Sequence, residues 1–217
     1  MLVEGNMSRV QKGLFLLIIV TYVILLAQPI SLIVSDLGRH IRNGELLLTN
    51  PALLSTNFYS YTFTNYPVIN HHWGSGLIFA IVKTISGFAG LSIFYIMLRV
   101  LSFLIFFHIA WRFGSLFVAL LACVIVLPLM VSRSEIRPEG FSYLFSGLFF
   151  WLLLNASQKK ISQRFLIGLP LLMLVWVNLH IYFFLGLVII FIFLVEQVVI
   201  AMRKKDKIGR ASCRERV

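Results

Sequence analysis

Charged residues are scarce in this 217-residue chain, and acidic residues are the scarcest. Only 12% of the residues are charged, with eight Asp and Glu against nineteen Lys and Arg, whereas 59% are hydrophobic. Soluble domains are nearer half apolar and a quarter charged, so the composition excludes a soluble enzyme, a disordered chain and a nucleic-acid-binding domain. The long apolar runs instead predict a polytopic membrane protein.

Cysteines and the signatures of soluble catalysis are also few or missing. Cys123 lies in an apolar run and Cys213 in a basic tail, a placement that suggests neither a disulfide nor a metal site. The sequence contains no phosphate-binding loop, nucleophile elbow, zinc-protease helix or dinucleotide fingerprint. A function must therefore come from the membrane domain itself.

Basic residues at the ends of the apolar runs predict the orientation in the membrane. Arg9 and Lys12 place the N-terminus in the cytoplasm, and the basic clusters near 155–164 and 203–205 do the same for those loops. Segment 73–87 is short, rich in glycine and carries Lys83, so we expect it to make no independent crossing. The predicted crossings are 14–34, 91–111, 115–131, 140–154, 165–180 and 181–202, which leaves 36–72, 132–139 and 178–182 on the extracytoplasmic face.

The first of these outer loops is predicted to contain a short helix in the membrane interface. Apolar residues recur there near helical spacing, with Gly44 interrupting the pattern, and polar residues occupy the opposite face. The apolar positions are Leu37, Ile41 and Leu48, and the polar ones are Asp36, Arg39, His40 and Asn43. The predicted fold class is all-α: a polytopic transmembrane bundle with short interfacial helices in the first extracytoplasmic loop.

The last ten residues break the composition of the chain. Residues 208–217 correspond to one reading frame of a common sequencing-library adapter, so we interpret them as an artefact. Residues 1–207 are then one transmembrane domain, and we expect the natural chain to continue beyond Lys207.

Ionisable residues gather on the predicted outer face from loops far apart in sequence. Polar groups at the edge of hydrocarbon are costly unless they are paired or used, so this convergence favours a functional site. The alternative is a solvated rim of ordinary ion pairs. The set is Asp36, Arg39, His40, Arg42, Glu45, His71, His72, Arg133, Glu135, Arg137, Glu139 and His180.

Each candidate side chain has a chemical and a structural interpretation. Asp36 could accept a proton from an acceptor hydroxyl or amine, or it could cap the interfacial helix. The arginines offer planar forks for a phosphate, although Arg137 alternates with acidic neighbours that could pair with it. A divalent metal on His71, His72 and His40 is the weaker expectation, because adjacent histidines point in different directions.

The arrangement resembles the GT-C class of membrane glycosyltransferases, and within it the protein mannosyltransferases and the lipid A aminoarabinose transferase. The resemblance rests on an acidic residue just after the first membrane helix, followed by Arg or His one turn on. The matching segments are Ser35-Asp36-Leu37-Gly38-Arg39-His40, Asn57-Phe-Tyr-Ser-Tyr-Thr62, Asn70-His71-His72-Trp73, Arg137-Pro138-Glu139 and Trp176-Val-Asn-Leu-His180. Several family members have a second acid directly after the first, where this chain has Leu37.

The resemblance implies inverting transfer of a sugar from a polyprenyl-phosphate carrier to an acceptor at the outer face of a bacterial inner membrane. It implies Asp36 as the general base and Glu139 as the residue that orients the acceptor or the base. Donor and substrate contacts would come from Arg39, His40, His72, Arg137 and His180. The implied partners are the lipid-linked donor and membrane lipids. No cofactor is assigned, and a divalent metal stays the weaker expectation.

Two alternatives from other classes stay open. A transporter or flippase-like protein usually places ionisable residues near the bilayer midplane, often in paired repeats. Here only Arg99 and Lys83 fall deep in apolar segments, and no repeat is visible. A non-catalytic membrane subunit would be favoured if the charges on the outer face paired with one another.

Overall fold

The protein is built from α-helices. The computed structural model describes residues 7–32, 36–158 and 160–214, except for the side chains of residue 163 and of residues 204–214. Ser35, Lys159 and residues 215–217, which entered the sequence-based interpretation, lie outside the described residues. Within these ranges there is no strand, only an isolated antiparallel bridge between Thr56 and Pro67.

Seven α-helices follow one another in the described part of the chain. Short 3-10 turns at Pro51–Ser55, Gln163–Ile167 and Ile181–Phe183 precede or join them. The helices are α1 (Arg9–Leu26), α2 (Leu37–Thr49), α3 (Trp73–Phe113), α4 (Leu116–Val131), α5 (Glu139–Ser157), α6 (Gly168–Leu179) and α7 (Phe184–Arg214).

Four helical segments are long and apolar enough to cross a membrane. They are Arg9–Leu26, Trp73–Phe113, Glu139–Ser157 and Ile181–Arg203, and two shorter apolar helices cover Leu116–Val131 and Arg164–Leu179. Apolar side chains cover much of the outside of these helices: the most apolar stretch of Ile181–Arg203 is only 11% buried. An apolar exterior of this extent matches a protein surrounded by lipid, as the composition predicts.

Helix α3 is two helices joined by a sharp bend at Gly87. This glycine has φ 66° and ψ −170°, a conformation open to glycine and rarely to other residues. The rings of Phe79 and Phe94 both contact Phe141, at centroid distances of 5.8 and 6.4 Å. Fifteen residues of straight helix would separate the two rings by roughly 22 Å, so the chain folds back at Gly87.

The bend leaves residues 73–86 as a short helix of their own. Residues 73–86 extend roughly 21 Å as a helix, less than the roughly 30 Å of a hydrocarbon core. Residues 88–113 are long enough to cross. The roughly 21 Å length of residues 73–86 agrees with the prediction that segment 73–87 makes no independent crossing.

Connections that are far apart in sequence meet at one end of the bundle, here called the polar end. It comprises the loop after α1, residues 36–73, the α4–α5 loop and residues 176–182. Gln28, Ser92, Tyr95 and Ser134 line one cavity at this end, and the Trp73 indole N–H donates to Asn178 Oδ1 at 2.9 Å. Both ends of segment 73–91 therefore lie at the polar end.

The opposite end holds the remaining connections. The Lys160 ammonium lies 6.0 Å from the centre of the Phe113 ring, which brings the α3–α4 and α5–α6 connections together. The start of α1 lies beside the C-terminal part of α3, where Phe15 stacks on Phe107 at 4.2 Å. The loops that were predicted to share each face thus do share one end of the structure.

Arg99, one of the two deep charges, is fully buried in the middle of the bundle. Its guanidinium donates to the backbone carbonyls of Met130 and Arg133 at the C-terminal end of α4, and to the hydroxyls of Tyr22 and Tyr95. Those carbonyls have no partner within their own helix, and a cation there also complements the helix dipole. Arg99 therefore links α1, α3 and the C-terminal end of α4.

Candidate functional site

Asp36 begins the polar site, directly before α2. Its backbone is left-handed, with φ 54° and ψ 17°, a conformation that Asp tolerates better than most residues. Its carboxylate makes no capping hydrogen bond to the helix. Instead it accepts from Arg39 Nη2 at 2.9 Å, with both side chains more than half exposed. Asp36 thus occupies the N-cap position of α2, as the structural interpretation predicts, but its side chain pairs with Arg39 one turn later and makes no capping bond.

Four histidines from three parts of the chain form a cluster beside this ion pair. His40 lies on α2, His71 and His72 precede α3, and His180 follows α6. The ring of His72 lies at the centre, with centroids 4.4 Å from His71, 5.1 Å from His180 and 5.5 Å from His40. This cluster brings three of the predicted substrate-binding residues into contact: His40, His72 and His180.

The cluster depends on an unusually close contact between α2 and the first part of α3. A Cβ atom added to Gly44 would lie 2.2 Å from the carbonyl oxygen of Gly76, and one added to Gly76 would lie 2.6 Å from the carbonyl oxygen of His40. Only glycine permits such an approach. Gly44 interrupts the apolar pattern of α2, as the sequence indicates, because at this position α2 lies directly against the backbone of α3.

A buried hydrogen-bond chain orients His180. Trp176 Nε1 donates to Ser142 Oγ at 2.8 Å, and Ser142 Oγ lies 2.8 Å from His180 Nδ1. Ser142 and His180 are both nearly fully buried. Sequence reasoning missed Ser142, which appeared only as one polar residue in an apolar segment. Its contact ties the start of α5 to the histidine cluster.

Burial keeps three of the four histidines in the cluster neutral. The pKa values of His40, His72 and His180 are each lowered to about 4, mainly because burial disfavours the charged form. Neighbouring imidazoles add to the effect, and the Arg39 charge adds to it for His40 and His72. At neutral pH these rings are hydrogen-bonding groups without charge.

A second polar group lies at the start of α5. Arg137 Nε is 3.7 Å from Glu135 Oε2, which matches the predicted pairing between neighbours in this loop. Glu139 is the first residue of α5, and its Oε1 is buried with no hydrogen-bond partner in the described part of the chain. Glu139 lies one turn before Ser142, so α5 connects this group to the histidine cluster.

A third set of charges joins α2 to the first part of α3. Glu45 on α2 accepts from Lys83 at 3.1 Å and from Arg42 at 3.3 Å. The hydrogen bond from Lys83 is the main cause that lowers the pKa of Glu45. Lys83, the second deep charge, is therefore paired between α2 and α3 and does not line the interior of the bundle.

Two cavities lie at the polar end. One, of about 290 Å³, lies between the α1–α2 connection, α3 and the α4–α5 loop. The other, of about 230 Å³, opens beside the histidines and is bounded by α2 and residues 54–72. Backbone hydrogen bonds from Asn57 N to Tyr66 O and from Val68 N to Ser55 O close this segment into a loop. Arg39, His40, His71 and His72 line the second cavity on one side. The sequence had placed His71 and His72 in the site, whereas the closure of residues 54–70 into a wall of the cavity was not predicted.

Metal binding was the weaker expectation for the histidines. Among the residues that the structure describes, no group of three His, Cys, Asp or Glu side chains is arranged to hold a metal ion. The close ring contacts pack the imidazoles against each other, so they do not converge on a common point.

Comparison with known proteins gives no family for this chain. No family model, curated protein or solved structure matches it. The functional argument therefore rests on the geometry of the polar end.

Proposed function

We propose that this chain is an integral membrane glycosyltransferase, or the catalytic part of one, that uses a polyprenyl-phosphate sugar at the extracytoplasmic face of a bacterial inner membrane. The observation that supports it is the gathering of Asp36, Arg39, His40, His72 and His180 beside one cavity at one end of an apolar bundle. These residues come from three separate parts of the chain. Such a gathering of polar groups at the end of a membrane bundle is costly unless it serves a function.

Asp36 is the general base of the proposed reaction. Its carboxylate is exposed at the polar end and has its position fixed by Arg39. It takes the proton of an acceptor hydroxyl or amine as that atom attacks the anomeric carbon of the donor sugar. The bond from the anomeric carbon to the phosphate oxygen breaks, and the polyprenyl phosphate leaves with the bonding electrons.

The leaving phosphate needs positive charge and hydrogen-bond donors nearby. Arg39 and Arg137 are the cations of the proposed site with the planar geometry that phosphate prefers. The neutral imidazoles of His40, His72 and His180 contribute N–H donors, while Glu139 orients the acceptor. The exposed apolar faces of the helices accommodate the isoprenoid tail beside the bilayer.

The test separates turnover from donor binding. Asp36→Asn keeps the size of the side chain and removes the proton acceptor, so we expect turnover to fall by about 10²–10⁴-fold with donor binding retained. Arg137→Ala should weaken donor binding, since it removes a charge-assisted contact to phosphate. The measurement is sugar release from a labelled lipid donor in proteoliposomes of the full-length protein, beside donor binding.

Glu45→Gln is the matched control, because Glu45 is an ion-paired acid on the same helix as Arg39 and has no role in the proposed reaction. It should leave turnover near the wild-type value. Normal turnover in Asp36→Asn would remove Asp36 from the reaction. Equal loss in Asp36→Asn and Glu45→Gln would assign the effect to α2 as a whole.

A second candidate is a non-catalytic membrane subunit. The ion pairs Asp36–Arg39, Glu45–Lys83 and Glu135–Arg137 favour it, because charges that pair with one another need no substrate. Exposed pairs of this kind contribute only about 0–1 kcal/mol to stability. If the chain is a non-catalytic subunit, the wild-type protein releases no sugar, and the substitutions above leave that result unchanged.

A further inference from the structure

The cavity beside the histidines has walls of a particular chemistry. Besides Arg39 and the imidazoles of His40, His71 and His72, it is lined by the carboxamides of Asn43, Asn57 and Asn70 and by the rings of Phe58 and Tyr59. No carboxylate and no lysine is among its lining residues in the described part of the chain. The walls therefore combine aromatic surface with uncharged groups that both donate and accept hydrogen bonds.

The positive charge of Arg39 is balanced just outside this cavity. Its guanidinium is held by Asp36 at 2.9 Å, and Asp36 is not one of the lining residues. Burial holds the pKa of His40 and His72 at about 4, so both rings are neutral at pH 7. The cavity thus presents little net charge in spite of its basic residues.

One donor in the wall has no partner within the protein. Asn70 Oδ1 accepts from the backbone N–H of His72 at 3.2 Å, which fixes the carboxamide. Its Nδ2 is buried and without a hydrogen-bond partner in the described residues. Buried donors are almost always satisfied, so an unsatisfied one in a cavity wall indicates where a ligand or water accepts.

The aromatic part of the wall is held in place by α2. Tyr59 donates its hydroxyl to Asn43 Oδ1 at 2.7 Å, and the Phe58 and Tyr59 rings lie 4.0 Å apart. The Tyr59 hydroxyl is thereby occupied, while the rings of Phe58 and Tyr59 both line the cavity. Rigid aromatic surface next to fixed amides suits a ligand with one apolar face and many hydroxyls.

We infer that this cavity binds a neutral monosaccharide unit, with Asn70 donating to a sugar hydroxyl and the Phe58–Tyr59 pair providing apolar contact. The inference rests on the proposed function and narrows it to an uncharged sugar. An amino sugar would bring an ammonium group among a guanidinium and imidazoles with no acid in the wall. A uronic acid would bury a carboxylate beside an arginine that is already paired.

The test measures sugar binding directly, without a lipid donor. The purified 217-residue chain in detergent is titrated at pH 7.5 with three methyl glycosides of one parent hexose: the neutral form, the 2-amino form and the uronic acid. Saturation-transfer NMR measures binding. We expect the neutral glycoside to bind several-fold more tightly than either charged form. Equal binding of all three, or tighter binding of the amino form, would overturn the inference.

Substitutions in the cavity wall test whether the neutral glycoside binds in this cavity. Asn70→Ala and Phe58→Ala should each weaken binding of the neutral glycoside severalfold to tenfold, the usual effect of one lost hydrogen bond or ring contact. Tyr61→Ala is the matched control, because Tyr61 is an aromatic residue of the same loop that is fully exposed and does not line the cavity. If Tyr61→Ala weakens binding as much as Phe58→Ala, the cavity is not the site.

The same titration separates this inference from the proposed function. Asp36 lies outside the cavity wall, so Asp36→Asn should retain glycoside binding. Glycoside binding by the chain, together with no sugar release by the full-length protein, would support the sugar site and overturn the transferase. Transfer activity without glycoside binding would overturn the sugar site and leave the transferase standing.

Discussion

Gly44→Ala should destabilise the polar end, because the new methyl group meets backbone and not a mobile side chain. Its Cβ would lie 2.2 Å from the carbonyl oxygen of Gly76, 2.6 Å from the carbonyl carbon and 2.8 Å from Ala80 Cβ. No change of side-chain rotamer can relieve the contact with that carbonyl. Helix α2 must therefore move away from α3, and His40 must move away from His72.

The size of the effect follows from two opposing contributions. Replacing glycine by alanine inside a helix stabilises it by about 1 kcal/mol, whereas overpacking costs about 1–3 kcal/mol. Since the contact is with rigid backbone, the upper half of that range applies and the net loss is about 1–2 kcal/mol. For a chain of this size, that loss lowers the melting temperature by roughly 2–8 °C.

The assay is thermal unfolding of the detergent-purified protein, with amide hydrogen exchange of α2 as a second measurement. Gly13→Ala is the control, because a Cβ at this α1 glycine meets nothing within 4 Å. It should leave the melting temperature unchanged or raise it slightly, and it should not alter exchange in α2. Equal melting temperatures for the two variants would refute the close contact between α2 and α3.

Two further predictions concern the histidine cluster. Ser142→Ala should cost about 1–3 kcal/mol, because it leaves the buried Trp176 N–H and a His180 ring nitrogen without their partner. Ser102→Ala removes only a hydrogen bond to a carbonyl of its own helix, so it should cost clearly less stability in the same thermal assay. An equal cost for the two variants would contradict the Trp176–Ser142–His180 hydrogen-bond chain. Stability should also fall as the pH is lowered from 7 to 5. The three histidines with a pKa of about 4 stay neutral in the folded protein while they take up protons when unfolded; a melting temperature that rises over this range would contradict their burial.

The helical membrane architecture could be predicted because it depends on composition and on runs of single residues. Apolar runs of sufficient length, with basic residues at their ends, are enough to predict the helices and which loops share an end. The short segment before Gly87 was likewise visible from its glycines and its lysine. None of these features requires knowledge of which helices touch.

The site was predicted only in part, because its contacts join residues that are distant in sequence. The Asp36–Arg39 pair is local and could be predicted from helical spacing. The contact of His72 with His180 depends on how α3 and α6 pack, and the role of Gly44 depends on a neighbouring helix. A glycine inside a helix costs stability in isolation, so Gly44 was visible in the sequence only as an interruption of the apolar pattern, and its packing role was not predicted.

Residues 54–72 show most clearly which part of the site could not be predicted from the sequence. The aromatic residues Tyr59 and Tyr61 are visible in the sequence, where membrane-interface aromatics are the simplest interpretation and sugar stacking the lesser one. The structure instead turns Phe58 and Tyr59 toward α2, where they form a cavity wall with Asn43 and Asn70. This arrangement depends on the backbone closure between Asn57 and Tyr66, which no periodic pattern encodes.

The proposed function requires the polar end to lie outside the cytoplasm, and accessibility of single cysteines in intact cells tests this most directly. Ser134→Cys lies in the α4–α5 loop at the polar end and Ser157→Cys at the opposite end of α5, each introduced in a background with Cys123 and Cys213 replaced. With a membrane-impermeant thiol reagent, the account predicts labelling of Ser134→Cys and protection of Ser157→Cys until the cells are opened. Labelling of Ser157→Cys and not of Ser134→Cys in intact cells would place the site in the cytoplasm and contradict the account.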